Sequence, residues 1–497
     1  IAQSDSSQDF LSVLSALSPR EILVPEGMNK RVENLPDGML LAQELDRLFT
    51  GLTRTDRPDF DFEIRSGARE VMESLGVMNL EGFGINLDHL ALGPAGALLI
   101  YAQDVLKGKP GNIRRVEEYR TGESLLLDPA TQRNLEVFKT SSQTRKGSLL
   151  DAMDQTVTSA GARLLESFLT SPERDLGEIY RRQACVAEFS QAPSAVEEVS
   201  SILKTGSDLE RILGRLRNRL VRPRELGGLR ATIRGLPAVS NCLLALGERF
   251  PAIYEMGQRV QTFEELCAVL NRALEEELPA DIKVDVKGEG GRVIRAGYNQ
   301  EFDQLRKLGS GGKRWILDLE ASEREKTGIN NLKVKYNGAF GYFIEVTKAN
   351  LHLVPDHYVR KQTMTNAERY YTEELRQKEK EIVNAEERAV AKEQALFIEV
   401  VELALKEADA LTQTAHVLAE IDLFSSWGAI MRERDYCLPE FVDGSEELEI
   451  TQGRHPVVET VLKHESLGLA GTHAFVPNDC LLSSGQEQIS LITGPNM

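Results

Sequence analysis

Cysteine is scarce in this sequence of 497 residues: Cys185, Cys242, Cys267, Cys437 and Cys480 lie scattered, with no CxxC pair. That spacing argues against a disulfide framework and a zinc site, and it fits a reducing cytoplasm. A run of about 18 apolar residues is absent, as is a basic-then-apolar leader, so neither a membrane span nor secretion is indicated. Positive charge is short too: 59 Lys and Arg against 77 Asp and Glu give a net charge of −18. A protein that holds nucleic acid over its whole surface has the opposite balance, so any nucleic-acid contact must be local. Paired glycosidase carboxylates, a Ser/His/Asp order and a metal-ligating cluster are missing, which leaves no candidate catalytic residue and no metal ligand. Gly453-Arg454-His455-Pro456-Val457-Val458-Glu459 sets a histidine near a carboxylate. No nucleophile stands at useful spacing, and a His beside Pro in a turn reads as structural.

What is present is length, ordinary hydrophobicity at 41% and strong periodicity. The size predicts several domains. Residues 1–118 read as α/β, with a buried strand at Glu21-Ile22-Leu23-Val24-Pro25 and a helix over 91–107. From about 119 to 300 the pattern is almost wholly helical, as in the apolar stretches 149–169 and 209–220. Two long helical patterns stand apart. The first covers about 299–326, where Gly309-Ser310-Gly311-Gly312 should kink or interrupt it. The second runs from about 366 past 411, roughly 45 residues or about 65 Å. These suit an outgoing and a returning arm. Both ends of the chain look cut: it begins at Ile1 rather than Met and stops at Met497 in mid-motif.

Between the arms the period changes. Leu332, Val334 and Tyr336 alternate with Lys333, Lys335 and Asn337, so each set shares one strand face. Asn337-Gly338 and Gly341 supply turn residues before a second extended run at 342–347, which predicts a small β-hairpin at the end of the arms. Here the acidic chain turns basic. Between Lys326 and Arg369 there are seven cations (Lys326, Lys333, Lys335, Lys348, Arg360, Lys361, Arg369) against Glu345, Asp356 and Glu368. With the donors Gln362, Thr363 and Asn366, this surplus suits phosphate oxygens rather than base edges. A merely solvated strand face, or one that blunts a sheet edge, has the same pattern. The final part, from about Leu448, returns to short apolar runs. There Ile489-Ser490-Leu491-Ile492-Thr493-Gly494 reads as a strand feeding a Gly-rich turn, and Gly494-Pro495-Asn496-Met497 matches the opening of the phosphate-binding pattern GxxxxGK[ST] without its Lys and Ser/Thr.

Several stretches together resemble one family, the MutS mismatch-repair proteins. The strongest lies in residues 330–375: Leu332-Lys333-Val334-Lys335-Tyr336-Asn337, Gly341-Tyr342, Arg360-Lys361-Gln362-Thr363 and Asn366-Ala367-Glu368-Arg369-Tyr370 are similar to the family's clamp segment in order and spacing. Residues 128–136, 147–165, 208–213 with Arg222-Pro223-Arg224-Glu225-Leu226, and 453–459 leading to 492–497 agree as well. The resemblance implies a multidomain, mainly α chain. Residues 1–118 would be part of an α/β connector domain, and 119–324 with 377–440 a helical core with long lever helices. Residues 325–376 would be a small β-rich clamp, and 441–497 the start of a P-loop α/β ATPase domain.

In function, it implies DNA mismatch repair by a DNA-dependent ATPase. The DNA-binding residues would be Lys333, Lys335, Asn337, Arg360, Lys361, Gln362, Thr363, Asn366 and Arg369. Phe475-Val476-Pro477-Asn478-Asp479 is similar to the stretch whose ring stacks on adenine. The nucleotide-binding residues would therefore be Phe475, Val476, Gly494, Pro495, Asn496 and Met497. ATP or ADP with Mg2+ would serve the full-length parent, while the 497 residues alone would bind none well and turn over no ATP. Partners implied are duplex DNA, a second protomer and a MutL-type repair protein, in a bacterial cytoplasm at the nucleoid. The family's mismatch wedge is a Phe-x-Glu motif in an N-terminal domain. Phe263-Glu264-Glu265, Phe343-Ile344-Glu345 and Phe397-Ile398-Glu399 fit the three letters, but they fall in core, clamp and lever and are chance matches. A MutS relative acting in recombination, and a structural coiled-coil chromosome-organising ATPase arm, are the alternatives; the second would need sustained heptads, which the broad apolar stripes lack.

Overall fold

The computed structural model describes residues 1–2, 10–11, 13–14, 17, 19–28, 52–80, 83–108, 110, 113, 116–118, 125, 127, 129–282, 292–337, 341–442, 447–466, 475–485 and 488–491. Among these the fold is mainly helical with three small sheets. Two compact units are formed: Ile1–Glu210, Gly235–Gln261 and Ala410–Met497 make one, Arg211–Arg234 and Thr262–Asp409 the other.

In the first unit, β1 (Glu21–Pro25) pairs in parallel with β2 (Thr53–Arg57), and helices Ile64–Leu75 and Leu92–Leu106 follow. The strand lies where its apolar run placed it, but among the described residues it is partly buried rather than buried, and the second helix is bounded by Ala91 and a left-handed Lys107. These helices cross on glycine. A Cβ on Gly67 would stand 2.0 Å from the Leu92 carbonyl oxygen, and one on Gly96 would stand 2.2 Å from the Gly67 Cα. The apolar stretch 149–169 forms two helices, Leu149–Met153 and Ser159–Thr170, because Ser148 and Thr158 each cap a new start by accepting a backbone N–H. Asp422, from the helix Ala408–Arg434, reinforces the second cap: it accepts from the Val157 and Thr158 amides (3.0 and 2.8 Å) and from the Thr158 hydroxyl (2.5 Å). Burial pushes the Asp422 carboxyl above its ordinary range in spite of these bonds.

Further on in this unit, β7 (Glu447–Gly453) pairs antiparallel with β8 (Asn478–Ser483). His455 is structural. Its Nδ1 faces the Val458 amide at 3.5 Å at the start of helix Pro456–Ser466, while Glu459 is taken by Arg454 (2.9 Å) and the Tyr436 hydroxyl (3.0 Å). The strand expected from Ile489 is not formed over Ile489–Leu491, where Ile489 and Leu491 are 89% and 87% exposed. A buried parallel strand needs flanking strands, and no strand pairs with this stretch among the described residues. Residues 492–497 lie outside the described residues.

The second unit is built on helices Gln300–Thr327 and Glu373–Lys406. They run antiparallel: Glu301 pairs with Lys392 at 2.6 Å, while Ile316 and Leu319 pack with Leu375 and Ile382. The interruption expected at Gly309-Ser310-Gly311-Gly312 does not occur, and the backbone stays helical throughout. Each glycine costs a helix about 1 kcal/mol relative to alanine. An Asn299 cap, a left-handed Gly328 and packing along the second helix outweigh that. The second helix starts later than about 366 because Ala367–Tyr371 is a strand and Thr372 accepts the Leu375 amide at 3.1 Å. It ends at Lys406, where Glu407 (φ −94°, ψ 4°) separates it from Ala408–Arg434. Its 34 residues span about 51 Å rather than about 65 Å.

Candidate nucleic-acid interface

Between those two helices the chain builds a four-stranded sheet in the order β3-β4-β6-β5: β3 Lys333–Asn337, β4 Gly341–Thr347, β5 Val359–Thr363 and β6 Ala367–Tyr371. The two strands of the expected hairpin pair, with Lys333 opposite Glu345 and Tyr336 opposite Tyr342, while the turn residues 338–340 lie outside the described residues. Strand alternation sorts the side chains into two sets. Leu332, Tyr342, Ile344, Val346 and Tyr370 are buried against Ile316, Leu319, Leu375 and Ile382, with Val334 and Tyr336 partly buried beside them. Lys333, Lys335, Phe343, Glu345 and Arg369 therefore share the opposite face.

On that face the cations gather around one acid. Glu345 lies directly between Lys333 on β3 and Arg369 on β6. Its carboxylate takes the Lys335 ammonium at 2.7 Å and faces the Arg369 guanidinium at 3.8 Å. Arg369 also covers the Phe343 ring at 4.2 Å and donates to Gln362 at 2.8 Å. A bulge in β5 between Arg360 and Gln362 lets Gln362 stand opposite Arg369. Lys361 extends the face over the Tyr371 ring at 5.6 Å, and Arg376 approaches the same ring at 5.8 Å. Arg360 falls on the other side, opposite Tyr370 and 3.6 Å from Glu368, and Thr363 stands opposite Glu368. Asn337 ends β3; Asn366 lies in the β5–β6 turn, its carbonyl accepting the Lys348 amide at 3.2 Å.

The helix-side acids are tied to tyrosines. Glu368 accepts from the Tyr370 hydroxyl at 2.6 Å, and burial, with this bond, pushes the Tyr370 phenol up to about 12. Glu323 accepts from Tyr358 (2.5 Å) and Lys326 (3.0 Å). Burial alone would raise the Glu323 carboxyl, but these bonds win and hold it below its usual range. Reading the sequence missed Arg376, for which an Arg one turn beyond an aromatic strand end was the available signal, and missed the central place of Glu345.

Of the nucleotide candidates, Phe475 is half-buried and Val476 is 75% exposed, just ahead of β8. Gly494, Pro495, Asn496 and Met497 lie outside the described residues. The tripeptide phenylalanines are not poised as wedges: Phe343 is 2% and Phe397 8% exposed, and Phe263 is a left-handed residue leading helix Glu264–Ala273.

The family model for MutS domain III matches residues 130–428, which include the whole sheet and both long helices, and the model for MutS domain II matches residues 2–114. The chain belongs to the MutS family. Curated MutS relatives agree. DNA mismatch repair protein MutS of Symbiobacterium thermophilum is 35% identical over 99% of the chain and 54% of the relative. That of Myxococcus xanthus is 39% identical over 97% and 52%, and that of Anaeromyxobacter dehalogenans strain 2CP-C is 41% identical over 88% and 48%. The chain spans about half the length of the MutS relatives it matches. Among the described residues, no helix is long and apolar enough to cross a membrane.

Proposed function

We propose that residues 325–376 are a clamp that grips the backbone of duplex DNA, in a MutS protein that works in DNA mismatch repair. One observation carries this reading: Lys333, Lys335, Lys361 and Arg369 stand on a single face of a sheet in a chain whose net charge is −18. Point cations on a rigid sheet meet phosphates spaced along a strand, and they carry no base information. The name shared by the relatives, DNA mismatch repair protein MutS, supports the same conclusion. Residues 1–118 are then part of a connector, 119–324 with 377–440 core and levers, and 441–497 the start of an ATPase domain.

We further infer that the full-length protein uses ATP with Mg2+, closes around DNA as a homodimer and works with a MutL-type protein in the bacterial cytoplasm. The chain's contribution to a nucleotide site is Phe475, a partly exposed ring able to stack on a purine. Among the described residues, no three His, Cys, Asp or Glu side chains gather to hold a metal. A polypeptide of these 497 residues is expected to turn over no ATP, because Gly494-Pro495-Asn496-Met497 carries neither the Lys nor the Ser/Thr of the pattern GxxxxGK[ST]. The interface reading is tested by titrating the chain with matched and mismatched duplexes of equal length. Equal affinity is expected, because cations that meet phosphates carry no base information; a preference for the mismatch would show base readout and overturn a backbone-only clamp.

A further inference from the structure

The acid at the centre of the cationic face has a consequence for how tightly that face can hold anything. Glu345 is flanked across both ladders, by Lys333 and by Arg369, and is bonded to Lys335. Its side chain retains only 22% exposure, and that of Lys335 retains 47%. Cross-strand ion pairs of this kind contribute little to a sheet, so fold stability alone gives weak reason for an acid there. The Arg369 Nε atom is buried without a hydrogen bond, since its 3.8 Å approach to Glu345 is too long for one. The carboxylate is therefore shared: it bonds one cation directly and acts on the two others by field alone. The other acids near the sheet are differently placed. Glu368 and Glu323 are bound to tyrosines on the helix side, Glu320 and Glu379 accept the Val334 and Tyr342 amides, and Asp356 is exposed in a turn outside the sheet.

We propose that Glu345 is a built-in competitor for phosphate, occupying Lys335 and screening Lys333 and Arg369 so that the sheet holds a duplex backbone loosely enough to release it. This rests on the reading of that face as a DNA interface. A phosphate arriving at Lys335 must compete with a carboxylate already 2.7 Å away, and its field is opposed by the same charge. Removing the charge while keeping the shape should free one cation equivalent.

The test is duplex binding by the chain across a salt series, for native protein, Glu345→Gln and Asp356→Asn. Glu345→Gln should bind roughly 3- to 10-fold tighter at low salt, with a salt slope steeper by about one, the value for one further neutralised phosphate. Asp356→Asn, which removes the same charge away from the cluster, should change neither. Lys335→Ala should cost more affinity in the Glu345→Gln background than in the native one, a coupling read from the double-mutant cycle. That cycle, with thermal melting of each variant, separates a binding effect from a folding defect. Unchanged or weaker binding by Glu345→Gln would overturn the proposal, weaker binding meaning that Glu345 positions the cations. An equal gain in Asp356→Asn would overturn it as an effect of net charge. If Lys333→Glu/Lys335→Glu leaves the slope untouched, the interface reading has failed. If that variant flattens the slope but Glu345→Gln tightens nothing, the competitor alone has failed.

Discussion

Arg360 and Lys361 are neighbours in sequence, yet the strand sends them to opposite sides, the first toward Glu368 and the second over Tyr371. Composition could count them together; only the register, with its bulge, divides them. Elsewhere single side chains set stability. Glu178, at the start of helix Leu176–Gln191, accepts from Arg181 and Arg182, each at 2.7 Å. The Arg181 hydrogen bond, opposed by burial and aided by Arg182, holds its carboxyl down at about 2 from an ordinary 4.5. A depressed folded value means that this stabilisation is complete above about 4.5 and is lost as pH falls toward 2. Glu178→Gln should therefore lower stability at neutral pH and lose that part of the acid sensitivity, seen in urea unfolding at pH 7 and pH 3; unchanged acid sensitivity would mean that the pair contributes nothing. Phe475 is the residue on which the nucleotide reading stands. In the full-length protein, Phe475→Ala should raise the KM for ATP by an amount worth about 1 kcal/mol and spare DNA binding at low salt. Unchanged nucleotide affinity would remove it from the site.

At the scale of elements, the long helix Glu373–Lys406 is anchored by a buried acid. Glu393, 9% exposed, accepts the amides of Val293 (2.8 Å) and Ile294 (2.9 Å). Glu393→Ala would strand both donors and should cost about 2 to 3 kcal/mol in chemical denaturation of the chain; a loss under 1 kcal/mol would show that the segment finds other acceptors. This clip was not legible in the sequence, because its partners are backbone amides about 100 residues away. The β3 hairpin was legible, since strict alternation of Leu332, Val334 and Tyr336 with lysines has one strand solution. The start of the returning helix was not: Ala367–Tyr371 carries helix-compatible residues, and tertiary pairing with Ile344–Thr347 makes it a strand. Likewise Gly309-Ser310-Gly311-Gly312 reads as a breaker locally, and packing between the two helices overrides it.

For the whole molecule, charge is the organising fact. A chain at −18 repels a polyanion at long range, while Lys333, Lys335 and Arg369 surround Glu345 on one sheet face and Lys361 and Arg376 stand beside it at Tyr371. Phosphate binding through such a patch must be steeply dependent on salt, independent of sequence and strongest at low ionic strength. Of the motif residues, Lys333, Lys335, Lys361 and Arg369 share this face while Arg360 and Thr363 do not, a division made by the sheet. The most direct measurement is therefore the salt dependence of duplex binding by the chain and by the double variant Lys333→Glu/Lys335→Glu. Three or four phosphate contacts predict a slope of roughly −3 to −4 for the native chain, flattened by about two units in the variant, with all duplex sequences weakened equally. An unaltered slope in the variant would contradict the account and leave the lysine face merely solvated.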